Sequence, residues 1–550
     1  MKKSLPVHAK RVPPIGFDAL EELPGSDESL QLWKYERRWL ERVEMYSAVP
    51  QRDRSGIPRC TYTAEQMQRL MECNVVRRIS PEEIRGHVSM FLVLELAKER
   101  CRAIKNTVDI NAFCGSDTLR KLAFPTKKEM VESVHLGSAF LAVDFAAYYD
   151  QFQLTKEVGA LMCFEFNHNY YALNTLPMGQ RQAVEIADAA TQRLLDFPHL
   201  TQKAMSVIDN VCFIGHQPND IGADGWTFVQ RCAAAGATLN EIDVNEATRE
   251  KVDALIKTAG PWCGIDFDFT NKTVRIMQKA VDKTRTSWEA RASWDWRAFA
   301  RHMGLLFWPW RIIDLPMPDF FDVFRFIAEF GKKMTDSQPP PRPDGSFPSN
   351  PEWNRPAAIP ERVWQLLERW TTLVCDNKPR RVLPAMTKDN IDILVECDAS
   401  NEYGFCYVAL HIPTNQIVTY ARAWSETDRK NLRDRLRHSV VAEPLGLVYS
   451  AQHLARRFPN ARRFFFGQDN TPTVATFKRG FNTASYHLNL MTSWLQRSFP
   501  ASEGYQFDFV HVPGKVILAD RGSRGFRLVD VKDQGIAAML RRHLGLEEGG

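Results

Sequence analysis

Two apolar runs in this chain each carry one aspartate: FLAVDFAAYYDQFQL (Phe140 to Leu154) with Asp144, and SVIDNVCFIG (Ser206 to Gly215) with Asp209. A carboxylate within a strand-like apolar run is costly to bury, so such runs fold only where the charge meets a partner. A divalent cation is such a partner. Two carboxylates from separate strands that converge on one point offer Mg2+ the oxygen ligands it takes and leave positions open for a substrate phosphate. Beside Asp209 stands Asn210, where a second acid would complete the charge.

The chain has 550 residues, too many for one core, and three or four domains are expected. Hydrophobic residues at 44% and charged residues at 25% are ordinary for a globular protein and argue against global disorder. With a formal net charge of only +5, a polyanion has to be met by local clusters of Lys and Arg. The eleven cysteines are scattered, with no CxxC pair, and read as reduced core residues of an intracellular protein, cytoplasmic or nuclear. The basic N-terminus lacks the apolar segment of a signal peptide, and no later run is long enough to span a bilayer, so no membrane partner is expected. No sequence feature specifies an oligomeric state.

Residues 1–85 read as a helical, polar extension, with Leu30, Trp33, Trp39, Val43 and Tyr46 at roughly helical spacing. From 86 to 280 short apolar strands mix with helical stretches, an α+β layout. The segment 281–384 begins with a Trp- and Phe-rich helical stretch, read as packing rather than base stacking. It contains the proline-rich linker SQPPPRPDGSFPSNPEWNRP, 337–356. A new α/β pattern fills 385–550.

The first aspartate lies in a pattern, D-x4-Y-x-Q-x-x-L (Asp144, Tyr149, Gln151, Leu154), that resembles palm motif A of reverse transcriptases. Other pieces follow in order. ERCRAIKNTVDIN, with Arg102 and nearby Lys98, resembles the fingers hairpin; NTLPMGQ, with Met178 and Gly179, resembles motif B; SVIDNVCFIG resembles motif C; AAAGATLN and WCGIDFD resemble the two elements after it. The resemblance implies an RNA-directed DNA polymerase, a nucleotidyltransferase that extends a primer strand on an RNA template from deoxynucleoside triphosphates. It implies two Mg2+ (or Mn2+) ions held by Asp144, Asp209 and the carbonyl oxygen of Asn210. Arg102 and Lys98 would hold the triphosphate, Tyr149 would sit under the sugar and exclude a 2′-hydroxyl, and Gln151, Met178 and Gly179 would line the nucleotide site. The chain departs from the family pattern at Asn210, at Met178, at Ala183, Val184 and Ala187 of the motif B helix, and in the absence of a lysine after GATLN.

A second set of acids follows. Asp398 ends an apolar strand in DILVECDAS, Glu443 lies near the start of a helical segment, Asp469 follows RRFFFGQ, and Asp520 lies in HVPGKVILADRGSRG. Any one of them alone is ordinarily a solvated surface group. Together, in this order, they resemble the D-E-D-D set of ribonuclease H, which implies two Mg2+ (or Mn2+) ions about 4 Å apart and an RNA–DNA hybrid as substrate of an endonuclease. The wording around His438, GQDNTP and VPG is most similar to retrotransposons of the tyrosine-recombinase DIRS and VIPER type, with long-terminal-repeat elements next.

The two resemblances imply an α+β polymerase right hand (fingers, palm, thumb) followed by a connection and an α/β ribonuclease H-like domain. On this reading 1–85 is the extension and the start of the fingers, 86–280 the fingers and palm, 281–384 the thumb and connection, and 385–550 the nuclease domain. The alternative is a non-catalytic nucleic-acid-binding or scaffold protein derived from a reverse transcriptase, which Asn210 and the altered motif B favour and the full D-E-D-D set counts against; an intermediate reading keeps only the nuclease.

Overall fold

Short apolar runs bounded by turn residues become strands, and the longer runs with helical spacing become helices. The computed structural model describes residues 5–95, 98–114, 120–340, 348–432, 435, 438–526 and 533–546. Of the proline-rich linker, 341–347 lies outside the described residues. The chain divides into two compact units, 1–273 and 274–550.

In the first unit the strands are β1 (Val76–Ile79), β2 (Ser89–Glu95), β3 (Arg100–Asn106), β4 (Ala139–Asp144), β5 (Cys163–Phe166), β6 (Asn169–Leu173), β7 (Lys203–Val207), β8 (Asn210–Gly215), β9 (Ala259–Trp262) and β10 (Ile265–Asp268). β2 and β3 form one antiparallel hairpin and β9 and β10 another, while β1-β6-β5 and β4-β8-β7 are three-stranded antiparallel sheets. Helix Pro218–Ala234 covers β4 and β8. It lies so close that a Cβ on Gly225 would stand 2.9 Å from Leu141 Cδ1, so the position admits nothing larger than glycine without displacement.

Residues 5–85 contribute to this unit's core: Val7, Ile15, Leu20, Trp33 and Leu40 pack in one cluster with Val143, Phe145, Phe213 and Phe228. Arg193, on helix Ala183–Leu195, is 2% exposed and donates through Nε to the Leu20 carbonyl at 3.0 Å. Removing a fully buried aromatic such as Trp33 from this core costs about 3–5 kcal/mol.

Next along the chain come β11 (Thr273–Ile276) and, further on, the two-residue β12 (Arg380–Arg381). Helices Gln278–Glu289, Trp296–Phe307, Phe321–Asp336 and Glu361–Asp376 gather around an aromatic core. Trp296 stacks on Phe330 with ring centroids 4.8 Å apart, and Phe320 on Trp370 at 4.7 Å, so the Trp/Phe-rich stretch is packing, as read from the sequence.

The rest of this unit holds a five-stranded sheet of β13 (Ile393–Ala399), β14 (Gly404–His411), β15 (Gln416–Ala423), β16 (Arg463–Gln468) and β17 (Gln506–His511), in the order β15-β14-β13-β16-β17. Central β13 runs antiparallel to β14 and parallel to β16, and β16 runs parallel to β17. Helix Ser439–Arg457 packs on the face formed by Ile393, Val395 and Phe466, and helix Asp533–His543 on the face formed by Leu394, Leu410 and Val512. The first unit is thus α+β and the second a helical segment followed by a mixed α/β sheet, the alternation of elements read from the sequence, gathered into two compact units where three or four domains were expected. Among the described residues no helix is long and apolar enough to cross a membrane.

Candidate active sites

In the three-stranded sheet β4-β8-β7, β4 ends at Asp144, and the register sets Asp144 directly opposite Asn210, the first residue of β8. Asp209 occupies the two-residue turn between β7 and β8, where Ile208 has φ +58°. A β-branched residue in the left-handed region is a strained choice, costing on the order of 1–3 kcal/mol. The Phe145 N–H donates to the Asp209 carbonyl at 2.9 Å and ties the turn to β4.

Asn210 donates through Nδ2 to Asp209 Oδ1 at 2.8 Å. Burial raises the Asp209 carboxyl above the usual range; bonds from its own backbone and from Asn210 oppose this, and the Asp144 charge adds to it. Asp144 accepts at Oδ2 from Asn240 Nδ2 at 2.7 Å, and its N–H donates to Glu241 Oε2 at 2.9 Å. Glu241 is an exposed residue, yet desolvation at its carboxyl and the neighbouring Asp144 carboxylate push that carboxyl up to about 7. A carboxylate absent from the sequence reading therefore stands beside Asp144, brought there by the turn after GATLN. Only the run LNE at the end of that segment hinted at it.

Tyr149 lies half-buried near Asp209; burial, then that charge, push its hydroxyl up to about 12. Gln151 corrects the sequence reading. It is fully buried, its Nε2 donates to the Ala146 and Thr238 carbonyls at 2.7 and 3.0 Å, and its Oε1 accepts from the Thr238 N–H at 2.9 Å. The left-handed Ala147 (φ +45°) bends the chain so that Gln151 turns inward and serves the backbone, not a nucleotide.

Met178 is exposed, and the Gly179 carbonyl accepts from Asn111 Nδ2 at 2.8 Å. A Cβ on Gly179 would lie 3.2 Å from both the Lys105 carbonyl and Thr107 Oγ1, so the motif B turn sits tightly on the end of β3. Arg102, Lys98 and Arg100 surround Glu95 on the β2–β3 hairpin at 3.2, 4.0 and 2.6 Å. Lys105, not singled out from the sequence, bonds Asp150 Oδ1 at 2.7 Å and Thr175 Oγ1 at 3.0 Å and clips the hairpin to the turn after Asp144.

The second centre is more enclosed. Asp398 lies near the end of β13, Glu443 in the second turn of helix Ser439–Arg457, and Asp469 just past β16; one oxygen from each lies within 4.8 Å of the others. The helix reaches this close because residue 446 is glycine: a Cβ there would be 3.0 Å from the Cβ atoms of Ala399 and Phe405. Ser523 Oγ donates to Asp398 Oδ2 at 2.5 Å, while the Ala399 N–H and Gln468 Nε2 donate to Glu443 Oε2 at 3.1 and 2.9 Å.

Asp520 opens the short helix Asp520–Ser523 and accepts from Arg524 at 2.6 Å. Its charge reaches Asp398 and Asp469. Burial pushes the Asp398 carboxyl up to about 6; Ser523 opposes this, and Asp469 and Asp520 add to it. Glu443 is driven well above its usual range by burial and then by Asp398 and Asp469, and Asp469 is raised by burial and then by Asp520. Three acids held this close, with the Asp520 charge alongside, are a hard, oxygen-only donor set whose mutual repulsion a divalent cation relieves, and the residues present fit such an ion.

No protein-family model matches the chain, and no curated protein matches it. Among solved structures it is similar to the foamy viral protease-reverse transcriptase dRH in complex with double-stranded DNA, at 10% identity over 90% of this chain and 80% of that one, with a TM-score of 0.43. It is also similar to the foamy viral protease-reverse transcriptase in complex with an RNA/DNA hybrid (10% identity, 90% and 62% covered, TM-score 0.42) and with double-stranded DNA (10% identity, 90% and 96% covered, TM-score 0.41).

Proposed function

We propose that the chain is an RNA-directed DNA polymerase with a fused ribonuclease H, of the retrotransposon kind, whose two carboxylate centres act by metal-assisted phosphoryl transfer. The observation that carries this reading is the convergence of Asp398, Glu443 and Asp469, with Asp520 alongside, at one end of a mixed five-stranded sheet. Its partners are an RNA template, a primer strand, deoxynucleoside triphosphates and the RNA–DNA hybrid, and its setting is intracellular. Mg2+ or Mn2+, two ions per centre, would be held by Asp144, Asp209 and Asn210 in the palm and by Asp398, Glu443, Asp469 and Asp520 in the nuclease, and supplies Lewis acidity toward the attacking and leaving oxygens.

The chain's own groups orient the acids. Asn240 holds one oxygen of Asp144, Ser523 one oxygen of Asp398, and Gln468 with the Ala399 N–H one oxygen of Glu443, which aims the other oxygen of each. Arg102 and Lys98, grouped at Glu95, neutralise triphosphate charge, with the guanidinium suited to bidentate contact. Tyr149 presents its ring beside Asp209 and excludes a 2′-hydroxyl.

One observation favours the second reading, a nuclease or scaffold with a silent palm: the Asn210 amide occupies Asp209 Oδ1, an oxygen that a cation would use. Glu241 answers it by adding a carboxylate beside Asp144. Primer extension on an RNA template and cleavage of an RNA–DNA hybrid, each with Mg2+, test the reading. Extension lost in Asp144→Asn but kept in Asp398→Asn supports it, and hybrid cleavage without extension by the parent chain overturns its polymerase half.

A further inference from the structure

Glu396 lies on β13 two residues before Asp398 and is fully buried. An apolar side chain there would pack at lower free-energy cost than a carboxylate, which has to be fully hydrogen-bonded to be tolerated. Both of its oxygens are engaged. His543 Nδ1 lies 2.7 Å from Oε1, and the Leu518 N–H donates to Oε2 at 2.6 Å. His543 ends helix Asp533–His543, whose Leu540, together with Leu544 just beyond it, packs against Leu394, Val408, Leu410 and Val512. Leu518 lies two residues before Asp520. One carboxylate thus joins the strand of Asp398, the loop of Asp520 and the last helix of the described chain.

We propose that the His543–Glu396–Leu518 bridge positions Asp520 relative to Asp398, so that the C-terminal helix is a working part of the nuclease centre. The inference rests on the ribonuclease H reading of that centre. Without the His543 side chain, Glu396 Oε1 loses its partner, the carboxylate is free to turn, and its grip on the Leu518 N–H changes with it. The loop then carries Asp520 to a new place, and a shift of about 1 Å in a catalytic group is enough to slow phosphoryl transfer strongly. His543 acts through Glu396 and is a positioning residue.

The test compares the full chain with His543→Ala and His543→Asn, the asparagine keeping a donor near the Nδ1 position. Hybrid cleavage, Mn2+ affinity, backbone-amide exchange over 514–523 and thermal stability are measured together. His543→Ala is expected to slow cleavage about ten- to a hundredfold with an unchanged KM for hybrid, to weaken Mn2+ binding, and to speed exchange at Leu518 while β13 and β16 stay protected. His543→Asn is expected to recover most of each loss. Unchanged exchange at Leu518 in His543→Ala overturns the proposal, as does faster exchange spread over β13 and β16, which marks plain structural support. A parent chain that cleaves no hybrid removes the nuclease reading instead, and exchange at Leu518 then decides the bridge by itself.

Discussion

The two carboxylate centres solve the same electrostatic problem in opposite ways. At the centre proposed for hybrid cleavage Asp398 and Glu443 are 6% exposed, Asp469 and Asp520 lie close by, and like charges raise one another's proton affinity. In the palm, an amide, Asn210, faces Asp144 across the strand pair, Asp209 sits in a strained turn, and the further acid, Glu241, arrives from a turn about a hundred residues downstream. A compact acid cluster cannot give up a member without losing ligand charge. A more open one can recruit a carboxylate from a neighbouring loop, so a single Asp-to-Asn difference at a motif position does not by itself measure the charge at the site.

The contrast is broken most severely by removing one acid from each centre. Asp398→Asn is expected to lower hybrid cleavage about 10²–10³-fold and leave primer extension intact, and Asp144→Asn to do the reverse; loss of both activities in either variant ends the claim of separate centres. Next in size is Gln151→Ala, which leaves three backbone groups unserved and is expected to cost about 2–3 kcal/mol in urea unfolding of the first unit. A cost near zero returns Gln151 to the nucleotide site proposed from its motif.

Glu241→Gln is expected to lower extension about tenfold, and in an Asn210→Asp background the same change is expected to matter less, since the palm then regains its motif acid. Strict additivity in that cycle denies Glu241 the compensating role. The smallest effect is graded by pH. With its carboxyl at about 6, Asp398 carries a proton below that pH which a bound cation must displace, so Mg2+ affinity at the nuclease centre falls by about one decade per pH unit there. In the metal-free protein the sign follows from the raised value: between the ordinary carboxylate range and about 6 the folded state holds a proton that the unfolded state lacks, so this group makes folding less favourable as pH rises through that window. Calorimetric titration of the parent with Mg2+ from pH 5 to 7.5 checks the first direction, and urea unfolding of the metal-free parent and Asp398→Asn over pH 4 to 7.5 checks the second.

The strand-end positions of Asp144, Asp398 and Asp469 were legible because each terminates an apolar run, a local signal. Glu443 was legible through helical spacing. Glu241, Lys105 and the Glu396–His543 pair were not, because each acts through contacts spanning 45 to 147 positions, and such contacts leave no periodic trace. Gln151 differs for another reason: the motif gives its position in the chain but not the direction of its side chain, which the left-handed Ala147 turns inward.

Mn2+ anomalous diffraction on crystals of the parent, Asp144→Asn and Asp398→Asn addresses the central claim most directly. Mn2+ is expected in the parent at Asp144–Asp209 and at Asp398–Glu443–Asp469, with each variant losing only its own. An empty nuclease cluster in the parent, or loss of both sites in one variant, contradicts it.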